Sequence, residues 1–135
     1  MNWYPFADTF LFVFHLVFIL FNLTGWYWRP LRRLHLVAVL LTLASWFILG
    51  IFYGLGYCPL TDWHWAVLRQ MGRYDLPASY VSYLLQRAFG LYLRDSLVDA
   101  FTLAGAIFAL IMSVWANFFQ HSKNSLWQKT KDKKQ

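Results

Sequence analysis

The chain has 135 residues, of which 59% are hydrophobic, 21% aromatic and only 13% charged. Soluble domains carry about a quarter charged residues, so the composition excludes an ordinary soluble fold and favours a protein surrounded by lipid. The net charge of +6 would suit nucleic-acid binding, but two basic clusters contribute +3 and +4 and leave −1 for the rest. No basic face remains for a phosphate backbone, so no nucleic-acid partner is expected.

Three apolar stretches follow in chain order, and each is long enough to cross a bilayer, which takes about 20 helical residues. We predict spans at about residues 6–26, 34–57 and 97–120, with tryptophan and tyrosine at their ends as in the aromatic belts of membrane interfaces. Gly105 and Ala109 on the third span are small residues four apart, a spacing that lets helices approach closely. Residues 1–122 are predicted to form one membrane domain and residues 123–135 a basic cytoplasmic tail.

The segment between the second and third spans is neither apolar enough to span nor polar enough for a simple loop. Thr61 and Asp62 resemble a helix start and Gly72 a stop, while apolar residues at 81, 84, 85, 88 and 92 follow one helical face. We predict two amphipathic helices, at about 62–71 and 78–93, lying on the membrane surface. The predicted fold class is therefore an all-α membrane protein with three transmembrane helices and two interfacial helices.

Basic residues flank the spans asymmetrically and predict the orientation of the chain. They stay on the cytoplasmic side because moving them across the membrane during insertion is unfavourable. We expect a cytoplasmic (inner) membrane protein with its N-terminus outside and its C-terminus in the cytoplasm. The clusters are Arg29, Arg32 and Arg33 after the first span, and Lys123, Lys129, Lys131, Lys133 and Lys134 in the tail.

Asp8, His15 and Asn22 are spaced by seven residues on the first span and form a polar stripe. Seven residues are close to two helical turns, so these side chains share one face at steps of about 10 Å. Polar groups at membrane depth face protein or trapped water, and we expect the stripe to face spans two and three. Two interpretations stay open: a proton or ion pathway, or hydrogen bonds that fix helix packing.

Histidine and cysteine residues raise the question of a cofactor. Two axial histidines of a haem lie at the same depth, whereas His15 is mid-span and His35 opens the second span, about 15 Å away along the membrane normal. His15 could pair with His64 only if the segment after Cys58 dips into the membrane. Cys58 and His64 supply two ligands where a zinc site takes three or four. We therefore predict no cofactor and no metal site. Cys58 is the only cysteine, so an internal disulfide is impossible.

The most distinctive local sequence, CPLTDWHW, begins at Cys58 directly after the second span and leads to Arg69. A proline that ends the span, followed by a capped aromatic helix, explains it structurally. No basic neighbour activates the thiol, and the spacing defines no catalytic triad. We prefer the structural interpretation, so His64→Ala should be tolerated. If chemistry occurs, we expect His15 to approach the Cys58–His64 side, and the candidate residues are His15, His35, Cys58, Thr61, Asp62, His64 and Arg69.

His15 in the first span, Arg32-Arg33-Leu34-His35 at the opening of the second and Cys58-Pro59-Leu60-Thr61 at its end form a pattern. This pattern resembles a family of small bacterial membrane proteins that is catalogued as a domain of unknown function. The resemblance covers roughly residues 8–120, and the Cys-Pro-Leu-Thr tetrapeptide is its most specific part. Members carry a glutamate a few residues after the tetrapeptide, followed by Leu-Arg; this chain has His64 near that place, so a role for that carboxylate does not carry over.

Three classes of function remain open, and a function other than enzymatic catalysis is favoured. We prefer a non-enzymatic subunit or scaffold of a membrane assembly, because three spans with short loops bury little surface by themselves. The alternatives are a small-molecule or lipid-linked site using His15, Cys58 and His64, and a proton or ion pathway along Asp8, His15 and Asn22. The expected partners are the lipid bilayer and either other membrane subunits or further copies of the chain.

Overall fold

The computed structural model describes residues 2–134, except for the side chains of residues 120–122 and 124. This part of the chain forms α-helices joined by turns and contains no strand, which confirms the predicted all-α class. The α-helices are α1 (Tyr4–Thr24), α2 (Arg32–Ala44), α3 (Gly50–Tyr53), α4 (Pro59–Gln70), α5 (Tyr80–Phe89), α6 (Asp95–Val114) and α7 (Gln120–Asp132).

Three helical stretches are long and apolar enough to cross a membrane: Tyr4–Tyr27, Arg29–Tyr53 and Asp95–Phe119. They agree with the predicted spans to within about five residues, as expected for helix ends read from sequence. A π-helical turn at Ser45–Leu49 joins α2 to α3, and a second at Trp115–Phe119 joins α6 to α7. The chain is therefore compatible with a membrane protein that has three spans.

The boundaries of α4 and α5 differ from the prediction for local reasons. Helix α4 begins at Pro59, three residues before Asp62, because the fixed φ of proline suits the first helical turn. Helix α5 begins after Ser79, whose side chain accepts a hydrogen bond from the Ser82 backbone N–H as an N-cap does. It ends at Phe89, not near residue 93, because the next residue, Gly90, adopts a left-handed conformation with φ of +68°.

Helices α4 and α5 pack beside α1 along much of its length. Val67 of α4 contacts α1 near Tyr4, and the buried face of α5 reaches Ile19, fifteen residues or about 22 Å further along α1. The predicted apolar face of α5 was wrong at its end, since residues 88 and 92 are exposed. The buried residues of α5 are Tyr80, Ser82, Tyr83 and Leu84, of which only Leu84 belongs to the predicted face.

Helix α6 contacts both α1 and α2 through its small residues. Ala109, Ser113 and Ala116 are almost fully buried, and Leu23 of α1 packs where a side chain at Gly105 would otherwise lie. This confirms the predicted role of the small-residue face in close helix packing. The basic tail, for which no structure was predicted, forms α7 as a continuation of α6, with its lysines exposed.

Candidate functional site

A network of polar side chains joins α1 to α4 and α5 and is named here the Asp8 cluster: Asp8, His64, Tyr80, Tyr83 and Arg87. Asp8 accepts a hydrogen bond from His64 Nε2 at 2.8 Å through Oδ1. It also accepts two from Arg87, from Nη1 to Oδ1 at 2.6 Å and from Nη2 to Oδ2 at 2.9 Å. This paired geometry is the strongest way for a guanidinium to hold a carboxylate.

The hydrogen bonds of His64 define its protonation. A carboxylate can only accept, so His64 Nε2 carries a proton and donates it to Asp8. The other nitrogen, Nδ1, lies 2.5 Å from the hydroxyl of Tyr80 and, in the neutral ring, accepts from it. Burial lowers the pKa of His64, which outweighs the opposite effect of Asp8, and burial raises the pKa of Tyr80. Both shifts favour a neutral His64 and a protonated Tyr80.

Arg87 completes the network and balances its charge. Its Nη1 also donates to the Tyr83 hydroxyl at 2.7 Å, and its guanidinium carbon lies 4.3 Å from the centre of the Phe12 ring. The hydrogen bond to Asp8 raises the pKa of Arg87, so the side chain remains charged. One carboxylate and one guanidinium with a neutral histidine make the Asp8 cluster neutral overall, which permits the burial of Asp8 and His64 beside the partly exposed Arg87 side chain.

His15 belongs to the edge of this network through its ring. It is 7% exposed, and its ring centre lies 4.2 Å from that of Tyr80. Tyr80 contacts the rings of both His15 and His64, so His15 lies on the His64 side, while Cys58 lies elsewhere; a chemical role for the two histidines stays a prediction. The expectation that Asp8 and His15 face spans two and three is wrong, because α4 and α5 occupy that side of α1.

Asn22 and His35 lie at a second polar centre, where the three span-length helices meet. His35 is fully buried and donates from Nε2 to the backbone carbonyl of Asn22 at 2.7 Å, which leaves Nδ1 to accept from the Ser113 hydroxyl at 2.9 Å. Gly25 lies against the ring, and a Cβ there would come within 2.7 Å of His35 Cδ2. Asn22 is fourteen residues from Asp8, about 21 Å along α1. Among the hydrogen bonds of residues 2–134, none links Asp8, His15 and Asn22 into one path.

Cys58, Thr61 and Asp62 line a separate pocket of about 210 Å³ between the end of α3 and the start of α4. His64 does not reach this pocket, because its side chain points to the opposite side of α4 toward Asp8. Arg69 lies outside it, with Nη2 3.9 Å from Asp62 Oδ1. The sequence motif therefore divides into two places. In the described part of the chain, no three histidine, cysteine or aspartate side chains are grouped as metal ligands would be.

Sequence reasoning missed Tyr80, Tyr83 and Arg87 as members of the site. Their spacing of three and four residues places them on one face of α5, and an arginine on an otherwise buried face is a signal of an acidic partner. The predicted face at residues 81, 84, 85, 88 and 92 excludes all three of these residues. The partner, Asp8, lies 79 residues earlier in the chain.

Comparison with known proteins gives a family and no activity. The family model described as "Protein of Unknown function (DUF2784)" matches residues 5–118, and the chain belongs to this family. The expected resemblance to a domain of unknown function is thereby confirmed. No curated protein matches the chain, and no solved structure matches it.

Proposed function

We propose that this member of the DUF2784 family is a non-enzymatic subunit or scaffold of a cytoplasmic-membrane assembly. The observation that carries the proposal is the self-contained hydrogen bonding of the Asp8 cluster. Both nitrogens of His64 and both oxygens of Asp8 are engaged by protein groups, and the His64 side chain is fully buried. A general base or nucleophile needs a free position that a substrate can reach. The cluster instead has the properties of a structural contact that holds α1 against α4 and α5 through hydrogen bonds.

The surface of the span-length helices supports the assembly role. Phe6, Phe10, Phe14 and Phe18 stack along one side of α1 with ring centres 5.9–6.4 Å apart, and the first three are 43–76% exposed. We name this row the phenylalanine ladder. Its rings are held in place by one another, so docking a partner helix costs less side-chain entropy than ordering isolated rings. The ladder is the proposed contact with another membrane subunit or a second copy.

The proposed orientation places the N-terminus outside and the basic tail in the cytoplasm. It follows from the arginines between the first two spans and the exposed lysines of α7. In this orientation α4 and α5 belong to the outer side of the protein. They extend beside α1 as far as Ile19, which is deeper than two helices lying flat on the membrane surface, as predicted, would reach. A membrane-impermeant thiol reagent should label Cys58 in intact spheroplasts, while protease added outside should leave the tail uncut. Cleavage of the tail by protease added outside would contradict this orientation.

Purification of the full chain in mild detergent tests the assembly role. We expect a complex larger than the monomer, held together through the phenylalanine ladder. Combined Phe10→Ala and Phe14→Ala should release the partner, while combined Phe47→Ala and Phe52→Ala, which removes exposed rings from the second span-length helix, should leave the complex intact. A monomer that carries no partner in native membranes, shown by cross-linking before extraction, would contradict the proposal.

A further inference from the structure

The pocket lined by Cys58, Thr61 and Asp62 has a second group of walls that the assembly role does not use. Tyr53, Tyr57 and Trp65 also line its volume of about 210 Å³. This space equals the volume of about seven water molecules, which is enough for a small organic group. Together with Asp62, these three rings define what we name the aromatic pocket.

Each aromatic wall of the pocket contacts another aromatic ring. Tyr53 and Tyr57 stack on each other with ring centres 4.6 Å apart. Trp65 packs edge-on against Tyr80 and Tyr83 of the Asp8 cluster, with ring centres 5.1 Å apart in both cases. The loop between α3 and α4 is held by a hydrogen bond from the Ser45 hydroxyl to the backbone carbonyl of Tyr57 at 2.9 Å. The walls are therefore held in place without a ligand.

The chemistry of the lining is that of a site for a positive charge. Aromatic faces carry negative electrostatic potential, and the one charged side chain lining the pocket is the carboxylate of Asp62. The Tyr57 hydroxyl donates to Asp62 Oδ2 at 3.3 Å, so the ring and the carboxylate act on the same space. No lysine or arginine lines the pocket in the part of the chain that the structure describes.

We propose that the aromatic pocket binds a quaternary ammonium group. Among the described residues, Asp62 is the one anionic group that lines the pocket, and one of its oxygens already accepts from Tyr57, while three of the lining side chains are aromatic. A quaternary ammonium donates no hydrogen bond and is recognised by aromatic faces with a nearby negative charge. The group belongs either to a soluble solute such as choline or to the head group of a choline lipid at the membrane surface.

Arg69 is the cation that the ligand competes with. Its Nη2 lies 3.9 Å from Asp62 Oδ1, and the two side chains are 51% and 60% exposed. An ion pair this long and this exposed is weak, so a ligand that contacts Asp62 and the aromatic rings together displaces it. Opposite effects are therefore expected from the two partners of this pair: removing the charge of Asp62 weakens ligand binding, and removing the charge of Arg69 strengthens it.

Protection of Cys58 from a thiol reagent measures binding directly, because Cys58 lines the pocket. The full chain is placed in nanodiscs of phosphatidylethanolamine and phosphatidylglycerol, and labelling is timed with increasing choline or with 3,3-dimethylbutan-1-ol, its uncharged isostere. We expect choline to slow labelling and the isostere to require at least about tenfold higher concentration. Equal protection by the two compounds, or none by choline, overturns the proposal.

Variants separate the charge effect from a change in fold. Asp62→Asn should raise the half-protecting choline concentration several-fold, Arg69→Gln should lower it, and Asp75→Asn, an exposed aspartate outside the pocket, should leave it unchanged. Melting midpoints close to the unmodified protein's show that each variant is folded. If Asp62→Asn binds choline as tightly as the unmodified chain, the assignment of the site is wrong. Slower labelling in phosphatidylcholine nanodiscs without added choline assigns the lipid head group as the source of the ligand.

Discussion

Asp8 is the residue on which the polar contacts between α1 and the α4–α5 segment converge. It accepts from His64 and Arg87, and its side chain is 9% exposed. A buried charge destabilises a fold unless it is paired, so Asp8 and Arg87 depend on each other. The same geometry reverses one expectation from the sequence: His64→Ala should not be tolerated, because it leaves a cavity and removes the donor to Asp8.

The hydroxyl of Tyr80 gives a test at the scale of a single atom. Tyr80→Phe keeps the ring against His15 and Trp65 but leaves His64 Nδ1 buried without its partner. We expect the free energy of unfolding to fall by about 1–3 kcal/mol. Tyr57→Phe is the matched control, since its hydroxyl makes an exposed contact of 3.3 Å, and it should have little effect. Thermal unfolding in one detergent measures both variants, and equal stability of the two would argue against the proposed hydrogen bond.

The lowered pKa of His64 predicts how stability changes with pH. The unfolded chain takes up the proton near the usual pKa of about 6.5, while the folded chain takes it up only at lower pH. Stability from this residue is therefore present above about pH 6.5 and is lost as pH falls below it. We expect the melting midpoint to decrease from pH 7.5 to pH 5.5. His64→Gln can donate to Asp8 and accept from Tyr80 but does not titrate, so its decrease should be smaller; an identical pH profile would contradict the assignment.

At the scale of elements, α1 makes two polar contacts, one near each end, while α2 also packs against α6. Near its start α1 meets α4 and α5 through the Asp8 cluster, and near its end it meets α2 and α6 at His35. Each contact places polar side chains where an apolar surface alone would allow helices to slide or rotate. Hydrogen bonds therefore hold α1 to the α4–α5 segment at one position and to the other two span-length helices at a second, about 21 Å apart along α1.

Gly25 tests the contact near the end of α1. A methyl group there would lie 2.7 Å from His35 Cδ2 and 2.9 Å from Phe21 Cε2, inside van der Waals contact with two packed rings. Gly25→Ala should lower the free energy of unfolding by about 1–3 kcal/mol through overpacking. Gly105→Ala is the matched control, since its methyl group would meet the flexible end of Leu23 at 3.3 Å. A melting midpoint for Gly25→Ala at or above that of Gly105→Ala would disagree with the described packing.

The sequence predicted those elements that depend on local composition. The three spans follow from apolar runs of about 20 residues, and the small-residue face of α6 follows from Gly105 and Ala109 on one helical side. The pairing of Asp8 with Arg87 could not be predicted in the same way, because it joins residues 79 positions apart. Choosing that partner requires knowing that α5 lies beside α1.

At the scale of the whole molecule, the described part of the chain has two polar centres between helices and long apolar surfaces that are not covered. In the second centre Asn22 Oδ1 is buried without a hydrogen-bond partner among the described residues. Large apolar side chains on all three span-length helices are exposed, including Phe10, Leu41 and Ile111. Apolar exposure of this extent is compatible with lipid around the helices and with contacts to other membrane proteins. The internal centres keep the helices in register, so that the apolar surfaces have a defined shape.

A double-mutant cycle with Asp8→Asn and Arg87→Gln tests most directly whether the Asp8 cluster stabilises the contact between α1 and α5. Each single variant leaves the charge of the remaining partner unpaired, while the double variant removes both charges. We therefore expect a coupling free energy of about 1–3 kcal/mol in unfolding. The exposed pair Asp62 and Arg69 provides the control, with Asp62→Asn and Arg69→Gln coupled by less than about 1 kcal/mol. The account predicts large coupling in the first pair and little in the second; additive effects of Asp8→Asn and Arg87→Gln would contradict it.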